Sequence, residues 1–241
     1  MDAALELTSR VEAAHFWFRG FRRFVAPAIA ESAAGRRNLT LLDCGCGTGY
    51  NLAALLRPYG SAFGFDLTST GLQYARDSGL PVACADMRSI PFQSSRFDIV
   101  TSFDVFQYVE DDYAVMKEIA RLIKPGGRIV VTASAMKSLR GGHAGTWPEV
   151  RRYSIGRMRS IAEAAGLHVD SITHLFATLF PALLIARIVN RGATGDDWEM
   201  KIPAAPVNGA LTRILSLEAS VSRIMPMPFG SSVMVVARKT G

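Results

Sequence analysis

The segment Asp43-Cys44-Gly45-Cys46-Gly47-Thr48-Gly49 carries the strongest chemical signal in the chain. It follows a short apolar run and precedes a helical spacing from Tyr50 to Leu56. Alternate glycines there let the backbone turn sharply and approach a ligand where any Cβ would clash. The start of the next helix offers free N–H groups and partial positive charge to that ligand. Two further apolar runs also end in acids, Asp66 and Asp86. An ionised carboxylate is a bidentate hydrogen-bond acceptor. Purely structural readings stand beside these: a tight β–α turn for the glycines, and a helix N-cap beside Thr68 for Asp66.

These residues must be held by a scaffold, and the chain spells one out. Apolar runs at 39–43, 62–66, 82–86, 97–103, 128–133, 167–173 and 232–238 read as seven strands. Helical spacings follow the first, second, fourth and fifth of these. Such alternation predicts an α/β fold, a Rossmann-like doubly wound sheet that is mostly parallel and covered on both faces. Ligands in such sheets bind outside the carboxyl ends of the strands, where Asp43, Asp66, Asp86 and Phe103 fall. Residues 3–34 read as helix interrupted at Gly20 and Pro27. Residues 175–191 and 207–224 read as two helices between the last two strands.

Composition narrows the classes. The chain has 241 residues, 49% hydrophobic and 20% charged, which excludes wholesale disorder and suits a single domain. Three cysteines without a nearby His pair argue against a disulfide framework and a zinc site, so no metal is expected. The net charge of +6 is compatible with an anionic ligand, nucleic acid or an acidic membrane and selects none of them. The N-terminus lacks an apolar signal core, and no run is long enough to span a bilayer, so a cytoplasmic location is the default expectation.

The glycine spacing also discriminates. A dinucleotide loop would place its third glycine at position 50, which is Tyr50, and no Gly-Lys-Ser/Thr follows for a phosphate loop. Asp43-x-Gly45-x-Gly47-x-Gly49 instead resembles motif I of class I S-adenosylmethionine-dependent methyltransferases. Asp86-Met87, Phe97-Asp98-Ile99-Val100 with Phe103-Asp104, and Leu122-Ile123-Lys124-Pro125-Gly126-Gly127 resemble that family's later motifs in order and spacing.

The resemblance implies S-adenosylmethionine as cofactor, held by Asp43, Gly45, Cys46, Gly47, Gly49, Asp66, Leu67, Asp86, Met87 and Phe103. It makes Asp66 the ribose acceptor and places Asp86-Met87 beside the adenine. It makes the last strand antiparallel, lying between the fifth and sixth. It divides one domain into an N-terminal helical lid (1–37), a cofactor-binding core (38–174 and 230–241) and a helical insertion (175–229). Trp17 and Arg19, within His15-Phe16-Trp17-Phe18-Arg19, are candidates to close the lid over the cofactor; a plainly docked helix is the alternative. The start Trp-Phe-Arg, the segment Arg151-Arg152-Tyr153 and the ending Pro228-Phe229-Gly230 resemble a bacterial subgroup of type-11 methyltransferases, some of which accompany glycan or lipid-assembly genes.

Methyl transfer from a sulfonium needs positioning and water exclusion, and a base only for a protonated acceptor. His143 in a Gly-rich loop is the best-placed candidate base. Tyr108 stands where small-molecule relatives often carry His, and either shapes the acceptor pocket or packs a helix start. The apolar stretch Leu175 to Ala186 needs a cover: its own core, a second copy, or a peripheral membrane contact. The expected activity is methyl transfer to a small-molecule acceptor, lipid- or glycan-linked in the finer reading, with no nucleic acid as partner. The rivals are a nucleic-acid methyltransferase, which would want an Asn/Asp-Pro-Pro-Tyr segment where Asp-Val-Phe-Gln stands at 104–107, and a non-catalytic cofactor-binding module.

Overall fold

A computed structural model describes residues 2–136, 149–181, 184–185 and 201–240. Seven strands form one sheet: β1 (Leu39–Cys44), β2 (Gly60–Asp66), β3 (Val82–Cys84), β4 (Phe97–Phe103), β5 (Ile123–Ser134), β6 (Leu167–Leu175) and β7 (Ser232–Lys239). Their order is β3-β2-β1-β4-β5-β7-β6. Only β7 runs antiparallel to its neighbours. The reversal of strand order between β1 and β4 opens a crevice at their carboxyl ends.

Successive residues of the central strands enter opposite cores. Leu42, Val100 and Val131 face one cluster, while Leu41, Ile99 and Val130 face the other. Both faces are therefore covered, as the uninterrupted apolar runs require. Helices α4 (Asp112–Leu122) and α5 (Ile155–Ala164) cover the first face. The second face receives the helical turns at 52–59, α2 (Phe16–Ala33) and α6 (Ala205–Ser222). Helices α1 (Asp2–Val11) and α3 (Ser69–Asp77) are also present.

Two expectations about the helices are corrected. The N-terminal break falls at residues 12–15, where His15 caps α2 by accepting from Trp17 N–H. Gly20 and Pro27 lie inside α2. A mid-helix proline costs about 3 kcal/mol. The stripe Phe21, Phe24, Val25, Ala28 and Ile29 is buried, and each large side chain contributes about 1.5–3 kcal/mol, so burial wins. Gly20 permits a close crossing, because a Cβ there would lie 2.3 Å from Leu215 Cδ1 of α6.

Leu175 and Phe176 also do not open a helix. Leu175 ends β6, paired with Ser232, and Phe176 turns the chain at φ +63°. Both are fully buried in the chain's own core. An apolar run reads alike as buried strand or buried helix, and here ladder pairing with β7 decides. The Glu218 carboxylate then accepts from the N–H groups of Ala177 and Thr178. Leu183 and Ala186 lie outside the described residues.

Candidate functional site

The glycine loop leaves β1 at the strand-order reversal. The Gly45 and Cys46 N–H groups donate to Phe65 O at 2.8 and 2.9 Å, tying the loop to β2. Gly45 has φ +78°, and a Cβ there would lie 2.4 Å from Val105 Cγ2, just beyond β4. Gly49, at φ +81°, would overlap Leu80 and Ala75. Gly47 has φ +51° and more open space, and its N–H donates to Asp66 Oδ2 at 2.8 Å.

Asp66 Oδ1 accepts from both the N–H and the hydroxyl of Thr68, at 2.8 and 2.6 Å. One carboxylate thus links the glycine loop to the start of α3. Asp43 is buried directly below, accepting from Thr101 Oγ1 at 2.7 Å. Burial pushes its carboxyl up to about 7, against the Thr101 hydrogen bond and helped by the nearby Asp66 charge. Cys46 is buried against Gly64, so its side chain faces the protein interior; burial raises its thiol.

Along the same edge, Leu67 is 60% exposed immediately after Asp66. Met87 is buried in the core. Both Asp86 oxygens are taken by Arg88, which holds that carboxyl below its usual range. This pair is exposed on the Arg88 side and opens cheaply. Phe103 meets Phe21 of α2 edge-on at 5.3 Å.

The N-terminal helices reach the loop through residues that the sequence did not single out. Trp17 stacks on Phe176 at 4.0 Å, and Arg19 is exposed. The loop contacts come from Glu12, whose carboxylate accepts from Thr48 Oγ1 at 2.7 and 2.9 Å. Arg22 donates to Glu12 O at 2.7 Å and lies 4.5 Å over the Tyr50 ring. Leu5 approaches Gly47. Burial raises the Glu12 carboxyl, opposed by Thr48 and by Arg22. A break between two helices and a threonine 36 residues later share no sequence pattern, so nothing local marked this contact.

The opposite wall of the crevice is built from the loop after β4. Asp104 adopts φ +54°, uncommon for a non-glycine residue and held here by its N–H to Thr132 O. Its Oδ1 accepts from Thr132 Oγ1 at 3.1 Å. Burial pushes this carboxyl up to about 6; Thr132 opposes the rise, Glu149 adds to it and Arg152 opposes it. Tyr108 stands nearby, its phenol pushed up to about 12 by burial, which disfavours its ionised form at neutral pH. Arg152 pairs with Glu149 at 2.7 and 2.9 Å and donates to Ala135 O. Gln107 accepts from the N–H groups of Val150 and Arg151, stapling this segment to the β4 loop. Asp112 anchors it further, accepting from Arg151, Tyr153 and Arg157. His143 and Trp147 lie outside the described residues. The left-handed turn that lodges Asp104 against Thr132 had no sequence signal beyond an acid after the fourth strand.

Residues 42–131, which run from β1 through β5, match the family model described as a methyltransferase domain. Through this region the chain is similar to the class I S-adenosylmethionine-dependent methyltransferases. A malonyl-[acyl-carrier protein] O-methyltransferase of Herminiimonas arsenicoxydans is 32% identical over 133 residues, covering 54% of this chain and 51% of that one. A ubiquinone/menaquinone biosynthesis C-methyltransferase of Desulfotalea psychrophila is 30% identical over 171 residues, covering 65% of each. The chain spans about half or less of the first such relatives. A methyltransferase solved with the Haloferax volcanii Trm112 activator shares the fold, with TM-score 0.67 at 23% identity over 100% of this chain and 96% of that one. S-adenosylmethionine is the cofactor of this methyltransferase family, and the glycine loop with Asp66 fits it: open backbone beside Gly47, an acceptor beyond β2 and exposed apolar surface at Leu67.

Proposed function

We propose that the chain transfers a methyl group to a protic oxygen of a small-molecule acceptor, which is lipid- or glycan-linked in the finer form of the reading. The observation that carries it is the presence of a carboxylate at the carboxyl end of each of two strands, Asp66 at the end of β2 beside the glycine loop and Asp104 just after β4. S-adenosylmethionine supplies an activated methyl group, so the reaction is an in-line displacement that leaves the electron pair on sulfur.

Asp66 takes the ribose hydroxyls. Gly47 N–H, Thr68 N–H and the Thr68 hydroxyl use three of its roughly four acceptor positions, so the rotatable Thr68 hydroxyl yields when both hydroxyls bind. Gly45 and Gly49 fix the loop, Asp43 supports it from below, and Leu67 offers an apolar surface to the adenine. Met87 backs that end of the site, and Asp86 reaches the exocyclic amine once released from Arg88. Residues 1–37 act as the lid through Leu5, Glu12 and Arg22. Residues 38–174 and 230–241 form the cofactor-binding core, and 175–229 the insertion.

On the acceptor side, Asp104 receives the proton as the acceptor oxygen attacks the methyl carbon. A carboxyl that titrates near 6 suits that task at neutral pH. Tyr108 and Arg152 shape and orient the acceptor beside it. Relatives named as O- and C-methyltransferases agree with the reaction class.

The test is incubation with a methyl-labelled donor and separate aqueous, lipid and nucleic-acid extracts. Label in a low-mass or lipid product is expected. Label confined to nucleic acid, or no label with any extract, contradicts the reading.

A further inference from the structure

Helix α6 presents an apolar stripe outward. Val207, Ile214, Leu217, Val221, Ile224 and Met225 follow one another along α6 and its end at spacings that keep one face. Leu217 is 70% exposed and Ile224 is 89% exposed. The opposite face, with Asn208, Thr212, Leu215 and Ala219, is buried. A surface helix normally turns its apolar side to the core, and this one also carries an apolar side to solvent.

Charge selects what covers that side. The acid on α6 is Glu218, which is buried and spent on the N–H groups of Ala177 and Thr178. Arg213 borders the stripe, exposed and without an acidic partner among the described residues. Arg223 borders its end, paired with Glu31 across open surface. On α2, Arg19 and Arg23 are exposed as well. A second copy docked by a two-fold axis would set this face, where the exposed Glu31 is already paired with Arg223, arginine against arginine. An acidic bilayer surface satisfies both the apolar residues and the arginines.

We propose that the outward face of α6 docks on an anionic lipid surface. The same helix holds the α1–α2 junction, since Asn208 donates to Ala14 O at 3.0 Å and accepts from Phe16 N–H at 2.8 Å. Docking therefore brings the lid junction to the surface. The inference rests on the exposed stripe and its charges, and stands apart from the methyl-transfer reading.

Flotation tests it, using vesicles of phosphatidylcholine alone or mixed with phosphatidylglycerol, at low and high salt. The wild type is expected to float with the anionic vesicles at low salt and to be released by salt. It should largely ignore neutral vesicles. Leu217→Asp with Ile224→Asp should weaken binding by about tenfold or more. Both positions are solvent-exposed, so the melting temperature should be unchanged. Failure of the wild type to float with anionic vesicles overturns the proposal, as does equal flotation of the double variant. Sedimentation showing a dimer that the double variant dissolves would assign the face to a second copy instead.

Discussion

The loops after β1 and after β4 form the two walls of one crevice, and they are built differently. The β1 wall is backbone: three glycines at positive φ, with one carboxylate, Asp66, bridging loop and helix. The β4 wall is side chain: Asp104, Tyr108 and Arg152, tied to strand and loop by Thr132, Gln107 and Glu149. A backbone wall can hold the same cofactor in every relative, because its contacts do not depend on side-chain identity. A side-chain wall can be changed residue by residue to suit an acceptor.

The two walls meet where Val105 packs over Gly45, and that contact gives the largest expected effect. Gly45→Ala adds a Cβ 2.4 Å from Val105 Cγ2 at a strained φ, and should destabilise the fold by about 3–5 kcal/mol. Val105→Ala in the same chain should restore part of this, since it relieves the overlap and leaves the backbone strain. Thermal unfolding of the single and double variants measures both. Full loss with no rescue would show that the walls are not in contact there.

Titration sharpens the comparison. The Asp43 carboxyl stays protonated to about 7 in the folded chain, above the ordinary carboxylate range that holds when unfolded. Its contribution to stability is therefore complete at acid pH and is lost as pH rises toward 7. Asp43→Asn should remove that fall, on the order of 2–4 kcal/mol between pH 4 and 8. Asp104→Asn should remove a smaller part, because Asp104 titrates near 6. Melting temperatures across that range decide, and equal slopes in all three proteins would contradict the assignment.

The smallest effect concerns the lid. Thr48→Val leaves the buried Glu12 carboxyl without its donor, at a cost of about 1–3 kcal/mol. Limited proteolysis should then cut faster near Arg10. Unchanged cleavage would mean that the helices are held over the loop by packing alone.

The sequence was most informative where chemistry constrains the backbone. Glycines in alternation and acids at strand ends placed the β1 wall and the seven strands, because apolar runs and turn residues are local signals. The antiparallel place of β7 came from family resemblance, since strand order is not local. The Glu12–Thr48 contact joins residues far apart in the chain, and Asp104 owes its setting to a threonine on the neighbouring strand. Leu175 and Phe176 misled because burial makes strand and helix look alike. Gly20 and Pro27 misled because α2 packs tightly enough to override local preference.

The claim that the two walls divide the work is tested most directly by calorimetric titration of S-adenosylhomocysteine into Asp66→Ala and Asp104→Asn, each checked for an intact fold. Losing the charged acceptor for two hydroxyls costs about 2–3 kcal/mol, so Asp66→Ala should bind roughly 30- to 150-fold more weakly than wild type. Asp104→Asn should bind within about twofold of wild type, because its side chain serves the acceptor. Wild-type affinity in Asp66→Ala, or an equal loss in both variants, would contradict the account.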